Sequence, residues 1–131
     1  MKVILDSNFL CVPSQFKVDI FDELIRHLNQ HVDFILLSAT YQELLKMVKY
    51  GSPKLRKQGE LALKLTEKCH IIHFEQGSNE THDDLIVRVA KKWNYPVATN
   101  DRELRKKLRK EHVPTIFLRQ GTHIASEGVI H

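Results

Sequence analysis

The sequence predicts an α/β fold, a single domain built on a parallel sheet with helices on both faces. Three observations carry this. Short β-branched and aliphatic runs alternate with stretches of helical period along the chain, the order that βαβ units with right-handed crossovers produce. A length of 131 residues with 42% hydrophobic content suits one domain with a buried core and is too short for two. Acidic residues recur where strands end, the edge at which such sheets bind ligands.

Taken in order, Lys2–Leu5 is a buried strand, Asp6, Ser7 and Asn8 form a polar loop, and residues 9–17, with Pro13, are a connection. Ile20, Phe21, Leu24, Ile25 and Leu28 recur at helical spacing behind Asp19, a good N-cap. Phe34–Leu37 is the second strand, and Ser38 or Thr40 caps a helix bearing Tyr41, Leu44, Leu45 and Val48. Gly51 ends it. Ser52-Pro53 starts another helix, whose stripe of Leu55, Gly59, Ala62, Leu65 and Cys69 has Gly59 as its weak point. His70–Phe74 is the third strand and Glu75–Thr81 a polar loop. Leu85, Ile86, Val89, Ala90 and Trp93 mark the next helix, and Val97–Thr99 is the fourth strand. Arg102–Lys110 is a basic helix that buries Leu104 and Leu108, and Thr115–Leu118 is the fifth strand. Residues 119–131 show no clear period and read as an irregular C-terminal tail.

Composition narrows the function classes. Twenty Lys and Arg against 16 Asp and Glu give a net charge of +4, which permits a polyanionic partner. No apolar run reaches the length of a membrane span and the N-terminus enters a strand directly, so a cytoplasmic protein without membrane association is expected. Cys11 and Cys69 are too few for a disulfide framework or a four-thiolate zinc site and read as buried reduced thiols. A glycine-rich phosphate loop is absent, which argues against P-loop chemistry.

The stretch from Asp83 to Asp101 fixes where the chemistry lies. About twelve helical residues travel ~18 Å outward, and about five extended residues return ~17 Å. Asp101 therefore ends beside the level at which Asp83 began. Asp6 follows the first strand, and Glu43 lies early in the helix after the second. Asp83 and Asp84 open the helix after the third, and Asp101 follows the fourth. All face one rim. Each also has a plain structural role. Asp83 and Asp84 suit a helix N-terminus, Thr81/Asp84 and Thr40/Glu43 fit capping boxes, and Asp101 can cap the basic helix, effects of ~0.3–1 kcal/mol each. Asp6 has no helix terminus in its immediate sequence, and the joint pattern carries the inference.

Converging carboxylates ~4 Å apart repel by ~4 kcal/mol at an effective dielectric near 20, and a bound cation relieves this. An oxygen-only cluster without His or Cys at ligand spacing suits Mg²⁺ or Mn²⁺ better than Zn²⁺. Such ions activate water and stabilise charge on a phosphodiester, so metal-assisted phosphodiester hydrolysis is the expected reaction class.

These residues resemble the PIN domain nucleases over nearly the whole chain. The resemblance rests on Asp6-Ser7-Asn8 after the first strand, the early-helix Glu43, Asp83-Asp84-Leu85-Ile86 and Ala98-Thr99-Asn100-Asp101. It implies a three-layer α/β/α fold with sheet order 3-2-1-4-5 and cleavage of single-stranded or structured RNA by a metal held on acidic residues. By position, Asp6, Glu43, Asp83 and Asp101 match the family's catalytic and metal-binding quartet, with Asp84 a further candidate ligand. Asn8, Thr99 and Asn100 match small polar groups near the metal, and Glu103 is a candidate for a water-mediated contact or a first-turn helix acid.

Two branches of the family compete. Gln15-Phe16-Lys17, Asn100 to Leu104 and the tail from Leu118 to Gly128 look like archaeal small PIN proteins related to endonucleases of small-subunit rRNA processing, the branch favoured here. VapC-type toxins are the other. The corresponding partners are ribosome-assembly factors, an antitoxin or a second copy of the chain. Arg102, Arg105, Lys106 and Arg109, with Lys107 and Lys110, form either an RNA-contacting face beside the acids or a solvated surface. Trp93 and Phe21 read as core, and His82 as a surface imidazole. Two further classes are weighed. A phosphoryl-accepting receiver domain would need an Asp directly after the third strand, where Glu75-Gln76-Gly77 stands instead. A non-catalytic RNA-binding assembly factor would keep the fold without the activity.

Overall fold

In the computed structural model, which describes residues 1–120 and 123–128, the five expected strands are present. They are β1 (Lys2–Leu5), β2 (Asp33–Leu37), β3 (His70–Ile72), β4 (Val97–Ala98) and β5 (Thr115–Arg119), joined by a sixth, β6 (His123–Glu127). One sheet holds them in the order β3-β2-β1-β4-β5-β6. The first five are parallel and β6 is antiparallel to β5.

Strands buried on both faces are near-continuous apolar runs, and the pleat sends alternate residues to opposite sides. Val3, Leu5, Phe34, Leu36, Ala98 and Ile116 enter one core. It is completed by α1 (Ser7–Leu10), α2 (Val12–Phe16), α3 (Ile20–Leu28), α4 (Ser38–Tyr50) and α5 (Pro53–Leu65). Ile4, Ile35, Leu37 and Val97 enter the other, covered by α6 (His82–Trp93) and α7 (Arg102–Lys110) through Leu85, Ile86, Val89, Leu104 and Leu108. The result is three layers, with Phe21 packed edge-on against Phe34 in the first core at 4.7 Å between ring centroids.

Caps explain most helix boundaries. Asp19 accepts from the backbone N–H groups of Phe21 and Asp22, Ser52 from Leu55, Thr81 from Asp84, and Asp101 from Glu103 and Leu104. Asn29 and Asn94 stop α3 and α6 in the left-handed conformation, at φ 53° and 55°. The structure also corrects several expectations. Residues 9–17 are mostly helical, because Asp6 caps the short α1 and Pro13 falls in the first turn of α2. Leu37, not Ser38 or Thr40, occupies the α4 N-cap, without a side-chain capping bond. The expected irregular tail contains β6; Gly121, Thr122 and residues 129–131 lie outside the described residues. β6 is a half-exposed edge strand without an apolar run, so only its pairing with β5 reveals it. Trp93 is not core: it is 47% exposed and stacked against Tyr95. No helix among the described residues is long and apolar enough to cross a membrane. Cys11 and Cys69 are both free, and burial pushes both thiols up, Cys69 to about 12.

Gly59 is the point of closest approach between α4 and α5, rather than merely a weak helix position. A Cβ there would lie 3.1 Å from both Met47 Cβ and Val48 Cγ2. Gly59→Val should therefore overpack the contact and cost about 1–3 kcal/mol, measurable by urea denaturation; an unchanged midpoint would show that the two helices can part freely.

Candidate active site

The strand order reverses between β1 and β4, and a crevice beyond the carboxyl ends of strands forms at such a reversal. Asp6 leaves β1 here, its N–H bonded to Ala98 O at 3.0 Å. The expectation that Asp6 gains no helix terminus is corrected, since its Oδ1 accepts from Ser7 N at 2.8 Å at the start of α1. Oδ2 accepts from Asn8 Nδ2 and from Thr99 Oγ1, both at 2.8 Å. Only 4% of the residue is exposed. Burial pushes the Asp6 pKa from 3.8 to about 6, against the hydrogen bonds from Thr99 and Ser7 that favour the anion.

The β4 exit is tied to Asp6 through the same atoms. Thr99 is fully buried; its Oγ1 donates to Asp6 and accepts from Asp101 N at 3.1 Å. Asn8 Oδ1 accepts from Asn100 N at 2.9 Å, and Asn100 Oδ1 accepts from Leu118 N at 2.8 Å. Asn8 and Thr99 thus hold a candidate ligand directly, whereas the Asn100 side-chain oxygen fixes the loop to β5. Asp101 Oδ1 caps α7, so its capping role is real and coexists with its place at the rim. Thr99→Val should cost about 1–3 kcal/mol by removing a charge-assisted bond and stranding Asp101 N–H. Denaturation of the metal-free protein checks this, and a smaller loss would mean the Asp6–Thr99 bond contributes little.

From the other side, Glu43 on α4 and His82 and Asp83 on α6 complete the rim. His82 Nε2 lies 3.1 Å from Thr40 Oγ1 and 2.8 Å from Glu43 Oε2. The second contact is close but off the axis of the ring N–H, and Glu43 Oε2 is buried without an aligned hydrogen bond. This replaces the expected Thr40/Glu43 capping box and moves His82 from surface imidazole to half-buried neighbour of the acids. Burial disfavours the His82 cation, yet Glu43, with Asp6 and Asp83, outweighs it and raises the His82 pKa. Burial and then the Asp101 charge raise the Asp83 pKa, with Glu43 adding to both. Asp84 faces elsewhere: Thr81 and then Lys107, whose Nζ is 3.2 Å away, hold its carboxyl below the ordinary range. His82 was the residue that sequence patterns undervalued, because its partners are 42 and 39 positions away.

Asp6, Glu43, Asp83 and Asp101 therefore come from four separated segments to one rim, where Glu43 adds to the rise at Asp6 and Asp101 and Glu43 add to the rise at Asp83. Among the described residues, no three His, Cys, Asp or Glu side chains stand close enough to share an ion as placed. The donor chemistry nonetheless fits a hard divalent cation: an oxygen set, a buried Asp6 that resists ionisation, and a buried Glu43 oxygen that contacts the His82 ring without an aligned hydrogen bond.

The basic helix is less available than its composition suggests. Arg105 stacks on Phe117 at 3.7 Å and donates to Glu127 Oε1 at 2.9 Å, and Arg109 pairs with Glu127 Oε2 at 2.8 Å. Both arginines thus brace β6 against α7, Arg105 mostly buried and Arg109 still exposed. Lys106 is 3.7 Å from Glu103, which is itself largely exposed as a first-turn acid. Arg102 and Lys106 keep solvent-exposed positions.

Comparison with known proteins gives a consistent picture. The profile described as PIN like domain matches residues 3–121. Ribonuclease VapC4 of Methanocaldococcus jannaschii is 30% identical over 129 residues, 98% of each chain. Ribonuclease VapC9 of Archaeoglobus fulgidus is 26% identical over 125 residues, 95% of this chain and 87% of that one. The solved structure of the PIN domain endonuclease Utp24 superposes with a TM-score of 0.80 and 26% identity, covering 98% of this chain and 92% of that one.

Proposed function

Since this chain belongs to the PIN-like domain family, we propose that it is an endoribonuclease that hydrolyses phosphodiester bonds in single-stranded RNA with Mg²⁺ or Mn²⁺. The observation that carries this is the buried Asp6 carboxylate at the β1/β4 switch, facing a rim of three more acids. Asp6, Glu43, Asp83 and Asp101 would hold the cation. When bound, such a cation lowers the pKa of a water and stabilises negative charge developing on the phosphate. Asn8 and Thr99 keep the Asp6 oxygens oriented, and Asp101 is fixed by its capping bonds. Exposed Arg102 and Lys106 lie near enough along α7 to meet the RNA backbone beside Asp101.

The likeness to the PIN domain endonuclease Utp24 over nearly the full chain supports an endonuclease; a processing enzyme with ribosome-assembly factors as partners is the reading favoured here, on residues 15–17, 100–104 and 118–128. The curated relatives' names support the second reading, a VapC-type ribonuclease restrained by an antitoxin. Incubation of the purified protein with labelled single-stranded RNA tests the shared core. Cleavage should require Mg²⁺ or Mn²⁺, stop in chelator, and leave no 2′,3′-cyclic phosphate, because water rather than the 2′-hydroxyl attacks. Cleavage in chelator would overturn the proposed chemistry. Growth arrest on expression, relieved by a co-encoded protein, would decide for the second reading.

A further inference from the structure

A second feature adjoins the acids. A cavity of about 250 Å³ opens between α1, α2 and the α4/α5 pair. Ser7, Asn8, Gln15, Gln58 and Asn100 supply its polar lining and Cys11, Val12 and Met47 its apolar part. Asn8, which lines it, donates to Asp6 Oδ2 at 2.8 Å and accepts from Asn100 N at 2.9 Å, so the cavity shares a side chain with the shell that holds Asp6.

Its chemistry differs from that of its surroundings. No Lys, Arg, Asp or Glu lines it, although the chain is rich in charge. A phosphate would leave its charge uncompensated there. Amides and a hydroxyl both donate and accept, the pattern needed to read the hydrogen-bonding edge of a base. Met47 supplies a polarisable apolar surface of the kind that accepts the face of a flat ring. Asn100 Oδ1 is spent on Leu118 N, and Asn8 is engaged with Asp6 and Asn100 N. Gln15 and Gln58 make no side-chain hydrogen bond among the described residues and remain the groups able to read. The volume falls below the ~300–1,000 Å³ of sites for drug-sized ligands and suits one base rather than two.

We infer that this cavity is a nucleobase subsite, in which Gln15 and Gln58 select the base next to the scissile phosphodiester. The inference rests on the nuclease reading above and deepens it to sequence preference.

The test uses the full chain and a set of single-stranded RNAs that differ only in the bases flanking one scissile bond. The wild type should prefer one base at one flanking position by about tenfold or more, the scale of a bidentate base contact. Gln15→Ala and Gln58→Ala should each reduce kcat/KM on that RNA. The double variant should bring the four bases within about threefold of one another, the loss falling mainly on the preferred one. Thermal melts establish that the variants fold; Gln15 is exposed, so Gln15→Ala keeps the test intact if Gln58→Ala does not fold. Equal cleavage of all four RNAs by the wild type, or an equal loss on all four in the variants, would overturn the subsite while leaving the nuclease intact. Failure of the wild type to cleave any RNA with either metal would overturn both.

Discussion

Asp6→Asn should lower RNA cleavage at least about 100-fold, on the scale of losing one charged group that stabilises a transition state, while removing the loss of stability that Asp6 imposes on the metal-free protein as pH rises from 4 to 6. Both effects follow from one carboxylate. In the folded chain Asp6 binds its proton with a pKa of about 6, against 3.8 for the ordinary group. The folded state therefore holds a proton that the unfolded state has released. The contribution of Asp6 to stability is greatest below about pH 4, falls as pH rises through 4 to 6, and levels off above that. The interval of about two units corresponds to on the order of 3 kcal/mol. Asparagine removes the titration but sacrifices at least one of the bonds from Ser7, Asn8 or Thr99. The absolute stabilities can thus fall either way; their difference must move in favour of Asp6→Asn by on the order of 3 kcal/mol between pH 4 and 6.5. Urea melts in chelator at several pH values measure it. Added Mg²⁺ or Mn²⁺ should raise the melting temperature of the wild type and leave that of the variant nearly unchanged. A flat difference across pH would show that burial of Asp6 is not the source of the strain, and an active variant would remove Asp6 from the site.

Asp83→Asn should also lower cleavage about 100-fold or more, whereas Asp84→Asn should leave it within about threefold. The two carboxylates are neighbours in sequence yet about 100° apart around the helix. Asp83 is half-buried and its proton affinity is raised by burial, Asp101 and Glu43, so it faces the other acids. Asp84 is exposed, hydrogen-bonded by Thr81 and paired with Lys107. Neutralising Asp83 relieves repulsion, so its loss of activity should come without a loss of thermal stability. Parallel cleavage assays and thermal melts on the two variants decide the matter. An inactive Asp84→Asn beside an active Asp83→Asn would place the reacting centre on the Lys107 side of α6.

These expectations bear on what a buried acid costs. Asp6 sits between full desolvation and three hydrogen bonds, and the pKa rise shows that desolvation prevails. A cation would reverse the balance.

Local pattern determined much of this protein. The alternation of aliphatic runs with 3.6-residue periodicity fixed five strands and their parallel sheet, and Asp19, Ser52, Thr81 and Asp101 marked helix starts, because caps and amphipathic faces act within about four residues. Acids at strand ends pointed to one rim for the same reason: a parallel sheet aligns its carboxyl ends. Only the tertiary structure decided which side chains meet there. Helix phase turns Asp83, already favoured by its position in the sequence, toward Asp101 and Glu43 and Asp84 toward Lys107, and His82 meets Glu43 across α6 and α4. β6 forms by pairing with β5, and Glu127 at its end binds Arg105 and Arg109 across 22 and 18 residues, a contact that buries most of Arg105. Contacts of that length depend on how elements dock, and docking is settled by the summed burial of two cores rather than by any stretch of neighbouring residues.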